Sequence, residues 1–255
     1  SLRSMHALIV DDEPIATLFL REELQIFEDL ELIGEADNGE SALALIASAQ
    51  PDLVFLDLQM PVMGGFQMLD QLKGGHLPVI IIVTAYDQHA IRALEAGVID
   101  YLLKPVSQSR LTQAVEHARR LLRQPVEVAN KLVQLQEIAS PPRPGPGVRK
   151  VVGRLHEEYF LLSVDEVLAF QADGEITWIV TAKQRFMATH NLKARDERLS
   201  ETQFRRIHRN ALVNVNQIRK LSMLTSQRWL VTLNNGQELI VSKRQAKHVR
   251  DVLNW

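Results

Sequence analysis

Along the first half of the chain, apolar residues come in short unbroken runs separated by stretches of helical periodicity. His6-Ala7-Leu8-Ile9-Val10, Asp52-Leu53-Val54-Phe55-Leu56 and Val79-Ile80-Ile81-Ile82-Val83 have the pattern of parallel strands covered on both faces. Weaker runs at Leu30-Glu31-Leu32-Ile33-Gly34 and Tyr101-Leu102-Leu103 supply a second and a fifth strand. Helix-start signals stand between them: Pro14 after Asp12-Glu13, Asp37-Asn38-Gly39 before an Ala/Leu-rich stretch, and Ser107 before 108–123. The alternation predicts a (βα)5 α/β unit, a doubly wound sheet between two helix layers.

From 151 the pattern turns to short apolar or alternating segments. Tyr159–Leu162, Val167–Phe170, Thr177–Thr181, Trp229–Leu233 and Glu238–Val241 read as strands, with tight-turn sequences at Asp173-Gly174 and Asn234-Asn235-Gly236. Only Leu192–Leu199 and Lys243–Leu253 read as helices, so the second half is a smaller, mainly β unit. Between the halves, Val128, Leu132, Leu135 and Ala139 fall at 4-3-4 spacing. They suit an amphipathic linker helix or a short seam that pairs with a second copy. Four prolines and two glycines in Pro141–Gly147 mark a tether. The expected division is 5–123, a linker over 124–149, and 150–255.

Charge sharpens this division. Residues 1–124 carry 9 Lys and Arg against 18 Asp and Glu, whereas residues 148–255 carry 18 against 11. An acidic unit is thus joined to a basic one, and the second has the charge expected of a polyanion binder. There is no cysteine, which excludes disulfide frameworks, thiolate metal sites and cysteine nucleophiles and fits a reducing cytoplasm. No apolar run approaches the ~20 residues of a membrane span. The opening Ser1-Leu2-Arg3-Ser4 before Met5 lacks the apolar core of a signal peptide and reads as an expression remnant.

Ligands of doubly wound sheets bind beyond the carboxyl ends of the strands, and the residues there are chemically specific. Asp11-Asp12 follow the first run, Asp57 the third, Thr84-Ala85 the fourth and Lys104-Pro105 the fifth. A single acid after a strand is readily explained as a helix cap. Four coincident strand ends ask for more. Crowded carboxylates repel one another unless a cation joins them, and hard oxygen ligands select Mg²⁺. A lysine and a hydroxyl facing that cation complete a cradle for phosphoryl oxygens, leaving Asp57 as the natural nucleophile.

These residues, in this order, resemble the response-regulator receiver domain over about 5–123, and Phe55-Leu56-Asp57-Leu58-Gln59-Met60-Pro61 is similar to its acceptor segment. The resemblance implies a flavodoxin-like fold whose Asp57 accepts a phosphoryl group from a sensor histidine kinase. Mg²⁺ would be held by Asp12, Asp57 and the Gln59 carbonyl, with Asp11 acting through a metal-bound water. Thr84 would be the switching hydroxyl, Tyr101 the rotating aromatic and Lys104 the phosphate-pairing cation, with a cis peptide before Pro105. Tyr101 also reads as a half-buried packing residue. Gly64-Gly65 departs from the Asp-Gly of many receivers, which bears on loop flexibility rather than chemistry. Haloacid-dehalogenase-type phosphatases also form an aspartyl phosphate, but need a general acid two residues after the nucleophile. Gln59 stands there, and an amide does not serve, so a phosphoacceptor is expected rather than a turnover enzyme.

The second half contains no helix-turn-helix, zinc-finger or zipper pattern. Phe204–Asn214, Asn191-Leu192-Lys193 and Leu239–Arg244 resemble the LytTR DNA-binding domain over about 150–255. That resemblance implies a β fold whose loops enter the major groove of promoter DNA. Arg209 and Arg244 are then base or phosphate contacts, supported by Lys193, Asn210, Lys243 and His208. His208 also reads as a structural histidine that orients its loop, and Arg205 with Arg206 as a solvated face, one of them pairing Glu201 or a backbone carbonyl. Trp178 and Trp229 read as core. The combined reading is a transcriptional regulator that phosphorylation drives to dimerise through the 87–123 face. A basic domain for RNA or a protein partner, and a phosphorylation-independent dimer, remain the alternatives.

Overall fold

A computed structural model describes residues 4–85, 100–139, 150–199, 202–225 and 228–253. The chain forms two compact units, Ser1–Pro142 and Arg143–Trp255. Among the described residues no helix is long and apolar enough to cross a membrane.

The first unit holds five strands, β1 (Met5–Val10), β2 (Leu30–Ala36), β3 (Leu53–Leu56), β4 (Val79–Thr84) and β5 (Asp100–Leu103). All pair in parallel, in the order β2-β1-β3-β4-β5. This flavodoxin-like order reverses between β1 and β3, where a doubly wound sheet opens a crevice. The unbroken apolar runs are explained by burial on both faces: every residue of β3 and β4 is buried. Helices α1 (Pro14–Leu24), α2 (Gly39–Ala49), α3 (Gly65–Gln71) and α4 (Gln108–Leu121) follow β1, β2, β3 and β5. The anticipated caps of α2 and α4 are present, with Asn38 accepting the Ser41 N–H at 3.0 Å and Ser107 that of Arg110 at 3.4 Å. Residues 86–99, including the start of the expected 87–123 face, lie outside the described residues.

The segment read as a linker over 124–149 divides in two. Pro125–Ala139 is a helix, α5, that packs on α3 of the same unit, while 140–149, with the proline-rich run, lie outside the described residues. Val128, Leu132 and Leu135 are buried within this unit. Their seam is therefore already used by the chain itself; the side chain of Ala139 is outside the described set. Gln136 is 1% exposed, and its amide donates to the carbonyls of Leu69 at 2.5 Å and Leu72 at 3.3 Å, where α3 ends. Removing this donor leaves buried carbonyls without it, which costs about 1–3 kcal/mol. Gln136→Ala is therefore expected to lower the urea midpoint of the first unit, read by circular dichroism on the full chain.

The second unit is built on β6 (Lys150–Leu155), β7 (Glu158–Ser163), β8 (Val167–Asp173), β9 (Ile176–Thr181), β10 (Arg185–Ala188), β11 (Phe204–His208) and β12 (Ala211–Asn214). These pair antiparallel in the order β11-β12-β8-β9-β10-β6-β7. A second antiparallel sheet contains β13 (Ile218–Thr225), β14 (Arg228–Leu233) and β15 (Glu238–Val241). Gly174 and Gly236, at φ +60° and +86°, sit in the two anticipated turns, where an L side chain would be strained.

Alternation along the larger sheet builds two cores. Phe170, Ile179, Phe204 and Leu212 pack with Leu192 and Leu199 of α6 (Leu192–Leu199). Their neighbours Ala169, Val180 and Val213 pack with Trp229, Val231 and Leu239 of the second sheet and with Ala246 and Val249 of α7 (Lys243–Val252). Trp229 is core, as expected. Trp178 is not: it is half-buried and capped by the Arg185 guanidinium, 4.3 Å from its ring centroid, an amphipathic packing that needs no full burial.

Candidate functional site

The ladder hydrogen bonds continue past the strand ends and fix the acidic rim. Asp11 N–H donates to Ala36 O at 2.9 Å, Asp57 N–H to Val10 O at 2.8 Å and Lys104 N–H to Thr84 O at 2.9 Å. The ends of β1, β3 and β5 thus bring together Asp11, Asp12, Asp57 and Lys104, up to 93 positions apart, with Thr84 at the end of the strand between β3 and β5. Carboxylate oxygens of Asp11, Asp12 and Asp57 lie within 4.8 Å of one another. Asp11 and Asp57 are buried, and Asp12 is exposed. Lys104, which precedes Pro105 through a cis peptide, reaches Asp11 Oδ2 at 2.8 Å and Asp57 Oδ2 at 2.9 Å. Asp57 Oδ1 accepts the Gln59 N–H at 3.1 Å, so both oxygens of the expected acceptor are oriented by donors. Thr84 is 1% exposed, and its Oγ1 has no hydrogen-bond partner among the described residues. An unmade bond on a buried hydroxyl is costly, and a ligand oxygen at this rim would relieve it. Tyr101 is half-buried on β5, opposite Ile82 of β4.

Two opposing influences set the charges. Burial raises the Asp11 carboxyl above its usual range, opposed by hydrogen bonds from Lys104 and the Glu13 N–H. Burial would lower Lys104, but its hydrogen bonds to Asp11, Asp57 and Glu13 outweigh this and hold the ammonium well above its usual value. The site is therefore an anionic cluster neutralised in part by one fixed cation. Its donor set, hard carboxylate oxygens with an exposed face at Asp12, fits a small divalent cation such as Mg²⁺.

Glu13 was not among the expected site residues. Its Oε1 lies 3.0 Å from Lys104 Nζ. The available signal was its place as the third consecutive acid after β1, which the reading of Asp12-Glu13 as a helix start absorbed.

In the second unit, Arg209 and Asn210 form the exposed turn between β11 and β12. Arg206 braces it, donating through Nε to His208 O at 3.1 Å and through Nη2 to Arg209 O at 2.5 Å, while Nη1 meets Asp196 of α6 at 3.3 Å. Ala172 N–H holds Asn210 O at 2.8 Å. His208 Nδ1 lies 2.5 Å from Asn210 Oδ1, so this half-buried histidine orients the turn. Arg205 Nη1 donates to Phe204 O at 2.7 Å and to Thr202 O. The pair read as a solvated face is thus a set of carbonyl clamps; Glu201 lies outside the described residues.

Ser242 N–H donates to Ile207 O at 2.8 Å, which ties the start of α7 beside this turn. Lys243 and Arg244 are exposed there, and Lys193 is exposed on α6, one turn before Asp196. The exposed basic and amide groups Lys193, Arg209, Asn210, Lys243 and Arg244 therefore stand on three neighbouring segments. Lys247 and Arg250, also exposed on α7, extend the basic face beyond the residues anticipated; the four-residue step from Lys243 to Lys247 and the three-residue step on to Arg250 are the signal.

Comparison with known proteins gives matches to both units. The family model described as the response regulator receiver domain matches residues 7–116, and that of the LytTr DNA-binding domain matches residues 157–254. An uncharacterized response regulatory protein of Vibrio cholerae is 34% identical over 254 residues, covering 98% of this chain and 99% of its own. The transcriptional regulatory protein BtsR of Salmonella typhimurium is 31% identical over 246 residues, covering 96% and 98%. The sensory transduction protein LytT of Bacillus cereus is 27% identical over 257 residues, covering 98% and 99%.

Proposed function

The chain belongs to the response regulators that join a receiver domain to a LytTR DNA-binding domain, a family of transcription regulators rather than turnover enzymes, and from this we propose that phosphorylation of Asp57 by a sensor histidine kinase in the cytoplasm controls its binding to promoter DNA. The observation that carries the reading is the Lys104 ammonium shared by Asp11 and Asp57, with the Thr84 hydroxyl on the neighbouring strand end buried and without a partner among the described residues. An Asp57 oxygen attacks phosphorus as the phosphorus–nitrogen bond of the phosphohistidine breaks, and the imidazole leaves with the electron pair and takes a proton from solvent. Asp12, Asp57 and the Gln59 carbonyl would hold Mg²⁺, with Asp11 acting through a water, and the ion when bound would neutralise charge on the phosphoryl oxygens. Lys104 pairs one phosphoryl oxygen, and Thr84 gains an acceptor that its buried hydroxyl lacks among the described residues. Moving toward that oxygen, Thr84 frees the space that Tyr101 turns into, and the change favours self-association through the 87–123 face. Within the described part of that face, Leu103 is 49% exposed and lies opposite Thr84 in the β4–β5 pairing.

In the second unit, Arg209 and Arg244 contact bases or phosphates, with Lys193, Asn210 and Lys243 in support and His208 holding the turn. Two basic domains joined as a dimer gain from effective concentration on repeated half-sites. Selection from a random duplex library by the full chain, with and without Mg²⁺ and phosphoramidate, tests this. A repeated half-site recovered more strongly after phosphorylation is expected. Equal retention of structured RNA would move the function to the RNA or protein-partner reading. Unchanged selection would favour a phosphorylation-independent dimer.

A further inference from the structure

An ammonium has three N–H donors, and around Lys104 each has a carboxylate: Asp11 Oδ2 at 2.8 Å, Asp57 Oδ2 at 2.9 Å and Glu13 Oε1 at 3.0 Å. A phosphoryl oxygen that is to pair with this lysine must take the place of one of them. The three are not equivalent. The side chains of Asp11 and Asp57 are 5% and 4% exposed, whereas that of Glu13 is 62% exposed. While the donor binds, before Asp57 is modified, taking the lysine from either buried carboxylate leaves a desolvated charge unpaired, whereas Glu13 returns to water at small cost.

The backbone holds Glu13 at this position. Its N–H donates to Asp11 Oδ1 at 2.9 Å, and its carbonyl accepts the Thr17 N–H at 3.0 Å. It is the N-cap of α1, with Pro14 behind it, yet its side chain makes no cap hydrogen bond. The carboxylate turns to the lysine instead.

We propose that Glu13 competes with the incoming phosphoryl group for Lys104: it occupies the donor that the phosphoryl group will use, and it is the group displaced as the phosphodonor binds, before transfer to Asp57. The proposal rests on the reading of Asp57 as acceptor. It gives Glu13 an opposing role, because its ion pair with Lys104 is lost as the donor binds. With phosphoramidate as donor, a bond forms between the Asp57 oxygen and phosphorus, and the phosphorus–nitrogen bond breaks. Ammonia leaves with the electron pair and takes a proton from water.

The test uses the full chain with Mg²⁺ and a phosphoramidate concentration series, followed by intact mass spectrometry. Glu13→Gln is expected to reach half-maximal rate at about two- to five-fold lower donor concentration, the range of an exposed ion pair, with an unchanged melting temperature. The same substitution in a Lys104→Ala background is expected to have no such effect, since no lysine is left to compete for. Unchanged donor dependence in Glu13→Gln overturns the proposal. So does a gain of equal size without the lysine, which would make Glu13 only a through-space charge. A wild-type chain that acquires no phosphoryl group instead removes the acceptor reading itself, a different result from a modified wild type indistinguishable from Glu13→Gln.

Discussion

An Asp57→Asn chain is expected to acquire no phosphoryl group from phosphoramidate and Mg²⁺ under conditions that modify the wild type, and its DNA retention is expected not to respond to the donor. The acceptor must be a carboxylate because its oxygen makes the new bond; an amide oxygen is a poor nucleophile at neutral pH. The environment of Asp57 adds a second reason. Both of its oxygens face donors, Oδ1 the Gln59 N–H and Oδ2 the Lys104 ammonium. Asparagine offers one acceptor oxygen and one nitrogen that only donates, so in either orientation its amide nitrogen opposes one of those N–H groups. The lysine is then shared by Asp11 and Glu13, and the arrangement that aims an oxygen at phosphorus is lost. Intact mass spectrometry measures the adduct, and peptide mapping locates it. A stoichiometric adduct in Asp57→Asn, on Asp11, Asp12 or Glu13, would overturn the acceptor assignment.

What was legible in the chain follows from range. The strands of the receiver could be read because burial on both faces demands unbroken apolar runs, and the acidic rim because each member directly follows such a run. Helix α5 could not be placed. Its amphipathic spacing suits either a self-pairing seam or a docked helix, and the polar contact that anchors it, through Gln136, is long-range. A buried amide bonding the carbonyls of Leu69 and Leu72, 64 and more residues away, has no local signature. Glu13 escaped for a related reason: its partner Lys104 is 91 residues distant, and locally it looks like an ordinary residue at a helix start.

The LytTR unit shows the converse difficulty. Strand β11 carries Arg205-Arg206 and His208, which break the apolar alternation a strand is expected to show. Those arginines are kept in place by carbonyls that they satisfy, not by apolar burial. Charge alone therefore could not separate clamps from contacts: Arg206 and Arg209 are three residues apart and equal in charge, yet the first braces the turn that presents the second.

That distinction gives the other large effect. Arg209→Ala and Arg244→Ala are each expected to weaken DNA binding by about ten- to one-hundred-fold where the arginine makes a bidentate contact to guanine, a contact worth about 1–3 kcal/mol. Neither should change the melting temperature, because both side chains are exposed. The dependence on salt then separates their roles. A phosphate contact carries a slope of about −0.9 in log affinity against log salt, so its removal flattens the titration by roughly one unit across all sequences. Loss of a base contact leaves the slope largely intact and relaxes selectivity at one position of the site. Arg206→Ala should behave differently again: it removes donors from His208 O and Arg209 O and a partner from Asp196, so it should lower affinity and thermal stability together. Full affinity retained in both Arg209→Ala and Arg244→Ala would place the DNA contact elsewhere on the unit, with the Lys247 and Arg250 face of α7 the next surface to vary.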